Sequence, residues 1–315
     1  MPDDQSFLTG IQSSNADTRF AAWRQAGEAS PAVIPQLGKL AAGQNGVGKS
    51  AREALTTMVH AVGKDANSPN RAAVVKGLLE ISGPDYPLPV RVHALRLLSN
   101  IAGEDAAPAI AKWTGVADLR EEAVYCLERI PGEASNKALI AAYKDVPDQF
   151  KPRILAALGH RRAQSAARLC ADAMRSSNKD IAVMGARAFG RIGAKPAAAP
   201  RYPETGTLSE TQATDVIDAM LRYADSQARD GNTAEAMTIY RSALERPQDH
   251  WQCAALIGLA KLGTADAAAA ILPKLKSNSR RVRITAESAW KSMADPTRVA
   301  AVRQTSGGED AASRA

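Results

Sequence analysis

Residues 90–103, V-R-V-H-A-L-R-L-L-S-N-I-A-G, decide how the rest of this 315-residue chain is read. Counted from Val90, the residues Ala94, Leu97, Leu98 and Ile101 fall at +4, +7, +8 and +11, the stripe that a 3.6-residue period places on one side of a helix. A helix with one apolar side needs a neighbour to cover it. The same frame (zero, +4, +7, +8) recurs as Val47, Ala51, Ala54, Leu55; as Leu119, Ala123, Cys126, Leu127; as Phe150, Ile154, Ala157, Leu158; and as Ile181, Gly185, Ala188, Phe189. Beyond a gap it returns as Trp251, Ala255, Gly258, Leu259 and as Val282, Ala286, Ala289, Trp290, and Thr18, Ala22, Gln25, Ala26 form a degenerate first copy. Successive zero positions lie 29, 43, 29, 31, 31, 70 and 31 residues apart. This spacing predicts repeated helix pairs, each burying its stripe only by stacking on its neighbours.

Small residues at +4 let helices approach, and larger ones at zero and +8 fill the grooves between them. Position +1 is basic at Arg19, Arg91, Arg120, Lys151 and Arg283. The pattern V-R-x-x-A-x-x-A-L ahead of a Gly-containing turn resembles the second helix of HEAT and HEAT-like (PBS-lyase-type) repeats, over residues 5–194 and 248–294. The resemblance implies an all-α fold, a right-handed α-solenoid of stacked antiparallel helix pairs. It also implies that the +1 bases bond to turn carbonyls or acids, and that the chain works by binding a protein, without catalysis of its own.

Composition agrees with thin, closely packed helices: only 4% of residues are aromatic. No apolar run reaches the ~18 residues that span a bilayer, and the first residues, M-P-D-D-Q-S, carry no secretory pattern, so a cytoplasmic monomer is expected. The three cysteines are isolated; Cys126 occupies a +7 position, which reads as a buried thiol. A net charge of +7 makes a polyanion partner worth weighing without predicting one.

Five segments follow along the chain: repeats over 1–194, a Pro-rich linker over 195–210, a tetratricopeptide-like helix pair over 211–247, two further repeats over 248–294, and a structureless tail over 295–315. The pair is placed by Gly231, Ala236, Tyr240 and Ala243 and read as spliced into the stack, which accounts for the 70-residue gap. The linker is placed by Pro196, Pro200 and Pro203. Gly43 to Ser50, G-Q-N-G-V-G-K-S, matches the phosphate-loop expression. That loop must leave a β-strand, whereas residues 33–42 have helical spacing, so the glycines are read as an inter-helix turn.

The histidines His60, His93, His160 and His250 are scattered, and no His-Glu pair suggests a di-iron site; no catalytic, metal or cofactor-binding residue is assigned. His93 is expected at the surface. Position +2 carries Phe20, Val92, Pro152, Val183, Cys253 and Ile284. It reads either as side-by-side packing of second helices or as an apolar strip for a peptide. The candidate partner-binding residues are Phe20, Val92 and Val183 from this strip, Tyr86 from the Gly-Pro turn before Val90, and Arg96, Tyr125, Arg153 and Arg187 beside it. The expected partner is another protein or peptide. The alternative is nucleic acid on a basic concave face, as in HEAT-like DNA glycosylases, although Glu53, Tyr125, Ala156, Ile257 and Ser288 interrupt the basic +6 positions.

Overall fold

In the computed structural model, which describes residues 3–194 and 200–312, each repeat stripe lies along a helix and its N-cap except that of the degenerate first copy, whose Gln25 and Ala26 follow the helix carrying Thr18 and Ala22, and the described residues contain no strand. The chain divides into two compact units, residues 1–161 and 162–315.

The first unit holds ten helices: α1 (Asp4–Gln12), α2 (Ala16–Arg24), α3 (Ile34–Ala41), α4 (Gly46–Gly63), α5 (Arg71–Ile81), α6 (Leu88–Ile101), α7 (Ala107–Ala111), α8 (Arg120–Arg129), α9 (Glu133–Asp145) and α10 (Lys151–His160). They pair as consecutive hairpins, and α2, α4, α6, α8 and α10 also pack each on the next. The stripe explains both contacts. Val90, Ala94, Leu97 and Leu98 are buried, as are Leu119, Ala123, Cys126 and Leu127. Position +5, absent from the expected stripe, is buried as well at Leu95, Val124 and Leu155, and it widens the apolar face so that each second helix can touch two neighbours.

The basic ladder at +1 reaches back to the turn preceding its own helix. The Arg19 guanidinium donates to the carbonyls of Ser13 (2.8 Å) and Ser14 (2.9 Å), Arg91 Nε to Ser82 (3.0 Å) and Arg120 Nε to Thr114 (2.8 Å). Arg161 does more: it donates to Asn136 and to the carbonyls of Leu127, Glu128, Ile130 and Gly132, satisfying the open C-terminal end of α8. These cations hold turns.

The phosphate-loop look-alike is such a turn. Residues 34–41 before it form α3, and the Asn45 side chain caps α4 by accepting from Gly48 N–H at 3.0 Å. The Arg52 guanidinium closes the turn on the carbonyls of Ala41 (2.5 Å) and Gly43 (3.0 Å). A Cβ on Gly48 would stand 1.9 Å from the Gly43 oxygen, so glycine is required there for close approach of backbone.

The second unit holds α11 (Ala167–Ala173), α12 (Lys179–Ile192), α13 (Glu210–Arg229), α14 (Thr233–Leu244), α15 (Asp249–Leu262), α16 (Ala265–Ile271), α17 (Arg280–Ser292) and α18 (Asp295–Ala312). Its packing revises the expected spliced pair. Helix α13 packs on α12 and α15, the place of a second helix, while α14 packs on both α13 and α15. Counted from Gln212, a frame of Val216 (+4), Ile217 (+5) and Ala219 (+7) is buried, so α13 carries a further copy of the stripe. Its zero position is polar, which is why an apolar frame passes over it.

The linker expected over 195–210 falls partly outside the described residues. Residues 200–209 are irregular apart from a 3-10 turn at Thr205–Thr207, and they are tied down where Arg246 donates to Thr205 Oγ1. The tail expected from 295 is corrected: the chain forms α18, which packs on α16 through the fully buried Ala301. Its apolar residues are too sparse to show a period in the sequence, but one alanine suffices for a close helix contact.

Two expectations concern stability. Gly48→Ala should lower unfolding stability by about 2 kcal/mol, whereas Lys49→Ala, exposed on the same turn, should stay within about 0.5 kcal/mol; urea titration separates the two. Burial also pushes the thiols of Cys126 and Cys170 up to about 12. The unfolded chain releases these protons near the ordinary thiol range, so stability is fully present below that range and is lost as pH rises from about 9 towards about 12, on the order of 1 kcal/mol per pH unit for each thiol. Urea midpoints measured between pH 8 and pH 10.5 should therefore fall less steeply in a Cys126→Ala, Cys170→Ala variant.

Candidate functional site

Between α6 and α8 lies an open depression of about 420 Å³, lined by Arg96, Ser99, Asn100, Glu121, Glu122 and Tyr125. Its geometry follows from the packing. Once zero, +4, +5, +7 and +8 are buried, positions +2, +3 and +6 of adjacent second helices face one another across the surface.

Charges of opposite sign meet there. From +6 of α6, Arg96 donates to Glu122 Oε1 through Nε at 3.0 Å and Nη2 at 2.5 Å. From α10, Arg153 Nε meets Glu121 Oε1 at 2.7 Å, and its Nη1 meets Glu128 Oε2 at 2.9 Å. The second oxygen of Glu128 lies 2.6 Å from His160 Nδ1. The bond to Glu122 raises the pKa of Arg96 above the ordinary arginine range. For Arg153, burial opposes the charge, and the bonds to Glu121 and Glu128 outweigh it and raise the pKa too.

Tyr125 stands among these pairs, 40% exposed, with the Arg129 guanidinium 5.6 Å from its ring centroid. The side of a tyrosine ring turned to solvent beside satisfied ion pairs offers apolar area at little entropic cost.

Of the candidate residues, the structure brings Arg96 and Tyr125 to this depression, with Arg153 at its edge through Glu121. Val92 is half-buried on α6. Phe20 is 50% exposed on α2, edge-on to Trp23 at 5.2 Å. Tyr86 is a packing residue: its ring lies against Gly38 of α3, where a Cβ would meet Cε1 at 2.9 Å, and its hydroxyl donates to the Pro35 carbonyl at 3.4 Å. Val183 and Arg187 belong to the second unit, where Val183 is buried and Arg187 pairs with Asp215 at 3.1 Å. His93 is half-buried rather than at the surface, with Nε2 3.3 Å from the Arg52 carbonyl, and burial lowers its pKa.

Glu121, Glu122, Glu128, Ser99 and Asn100 were not anticipated. A signal for the acids exists in the sequence: Glu121-Glu122 breaks the apolar +2 pattern in the one copy flanked by Arg96 and Arg153. Among the described residues no cluster of His, Cys, Asp and Glu could hold a metal ion, and no helix is long and apolar enough to cross a membrane.

No family model and no curated protein matches the chain. Among solved structures, the crystal structure of an engineered protein is similar at 17% identity and a TM-score of 0.46, covering 96% of this chain and 92% of that one. Human deoxyhypusine hydroxylase in complex with glycerol is similar at 16% identity and a TM-score of 0.24, covering 76% of this chain and 96% of that one. The second of these neighbours is an enzyme, and the expectation that this chain has no catalysis of its own is withdrawn.

The two arginines of the site should differ in weight. Arg153→Met removes bonds to two carboxylates and should cost about 1–2 kcal/mol, whereas Arg96, with a side chain 62% exposed, should lose no more than about 0.5 kcal/mol on the same change. Urea unfolding at low and high salt tests both.

Proposed function

We propose that the chain is a protein-binding module of HEAT-like repeats acting in the cytoplasm, and that the depression between α6 and α8 docks a segment of another polypeptide. The observation that carries this reading is the exposure of Tyr125 among arginine–glutamate pairs that are already satisfied. A partner meeting this surface leaves no buried charge unpaired and covers one aromatic face, the arrangement that favours an aromatic anchor within a polar rim.

The charge balance suggests the partner's chemistry. Arg96, Arg129 and Arg153 stand against Glu121, Glu122 and Glu128, so guanidiniums and carboxylates balance around Tyr125. A segment that lays an apolar side chain on the Tyr125 ring and carries polar groups of both signs around it fits best. Nucleic acid is less well supported here, because Arg96, Arg153 and Arg187 are each held by a carboxylate.

A photo-reactive phenylalanine analogue at position 125 tests the reading in the source cells. It should cross-link to protein, with yields insensitive to nuclease and reduced at least several-fold by Glu121→Lys with Glu122→Lys. Cross-links that disappear with nuclease, or that ignore the charge reversal, would refute it.

A further inference from the structure

In the second unit, the apolar +2 residue of a second helix is covered by the second helix that follows. Val183 of α12 is buried where α13 packs, and Cys253 of α15 is buried where α17 packs. The Cys253 contact is direct: Thr285 Oγ1 donates to its Sγ at 3.3 Å, and the Sγ lies 3.9 Å from the Arg281 carbonyl. On α17 the +2 residue is Ile284, and it is 54% exposed. Among the described residues no second helix follows α17 to cover it.

Helix α18 repeats the situation. It lies on α16, with Thr297 Oγ1 donating to the Gly263 carbonyl at 3.4 Å and Gln304 Nε2 to Asp266 Oδ1 at 2.9 Å. Counted from their first residues, Ala265 and Asp295, the two helices bury the same position, Ile271 and Ala301. In that register Val299 and Val302 correspond to Ala269 and Leu272, which pack against the buried cluster of the unit. Val299 and Val302 are instead 49% and 45% exposed. Ala301 shares this cluster with Ala286 and Ala289 of α17, so the uncovered sides of α17 and α18 belong to one edge. Stacked repeats ordinarily close on a polar face. This edge is apolar at the positions that a further helix covers elsewhere.

The charges around it have a sign. Lys291 stands at +9 of α17, the position from which Glu128 of α8 meets Arg153, the +3 residue of α10, at 2.9 Å. Arg281 and Arg303 are exposed on the same two helices, and among the described residues none of the three cations has a carboxylate partner. Against them α17 carries a single acid, Glu287.

We propose that the edge formed by α17 and α18 docks an amphipathic helix of another polypeptide, one that carries the apolar stripe of a second helix and a glutamate at its +3 position. Such a helix completes the pair that α18 begins and covers Ile284, Val299 and Val302. Its glutamate reaches Lys291 as Arg153 reaches Glu128, with the charges exchanged. A second copy of the chain is the poorer occupant, because edge on edge it sets Arg281, Lys291 and Arg303 against themselves. The proposal extends the protein-binding reading to a surface of the second unit and rests on different residues.

Fluorescence anisotropy with the full chain at constant ionic strength tests it with three synthetic helical peptides. The first has apolar residues at zero, +4, +7 and +8 and Glu at +3; the second has Lys at +3; the third is a scrambled form of the first. The Glu peptide should bind, the Lys peptide at least five-fold more weakly, and the scrambled peptide not measurably. Lys291→Glu should invert the order of the first two, and Ile284→Asp should weaken the Glu peptide at least ten-fold. Both side chains are exposed, so the melting temperatures of both variants should match that of the parent; should Ile284→Asp fail to fold, the inversion by Lys291→Glu decides. Failure of the Glu peptide to bind, equal binding of the scrambled peptide, or an order that ignores Lys291→Glu would overturn the proposal. A dimer of the chain alone that Ile284→Asp dissolves would overturn it in favour of a second copy. None of these outcomes bears on cross-links from position 125, which report on the first unit.

Discussion

Every other feature of this chain depends on covering the apolar stripe of each second helix. A helix with such a stripe has no stable place in water by itself, and in the first unit α4, α6, α8 and α10 each meet a partner within the pair and a neighbour on either side or at one end of the row. Two contacts demand a wider apolar face than one, and buried residues at +5 supply it. What is left over, at +2, +3 and +6, is the surface that can meet a partner. The exposed face of the second helices is thus defined by what packing does not use.

Arginine has two separate employments in this arrangement. One set holds turns: Arg19, Arg52, Arg91, Arg120 and Arg161 satisfy carbonyls that helix ends leave open. A second set, Arg96, Arg153 and Arg187, bridges adjacent second helices through carboxylates. The net charge of +7 therefore says little by itself about a polyanion partner. Many of the cations are tied to backbone or acid.

The comparison of α12, α13 and α15 shows how far a periodic pattern can be followed. The frame was legible wherever its zero position was apolar, and it was lost at α13, where Gln212 takes that position and instead bonds to Asp180 at 3.0 Å. The packing persists because Val216, Ile217 and Ala219 still make the contact, and Gly190 lets the two backbones come close: a Cβ there would stand 2.4 Å from the Ala219 oxygen. Tyr86 illustrates the opposite case. A tyrosine in a proline-rich turn looks available, yet its ring fills the space that Gly38 leaves open on α3, some fifty residues earlier in the chain.

The amino-acid order by itself determined the helical class, the burial of the stripe, the role of the +1 bases and the reading of Gly43 to Ser50 as a turn, because each of these depends on residues within a turn or two of one another. Contacts between copies were decided only in three dimensions. Which carboxylate holds Arg96 or Arg153 and which ring covers Gly38 depend on side chains separated by some twenty-five residues or more, and local periodicity carries no term for the register between neighbouring helices.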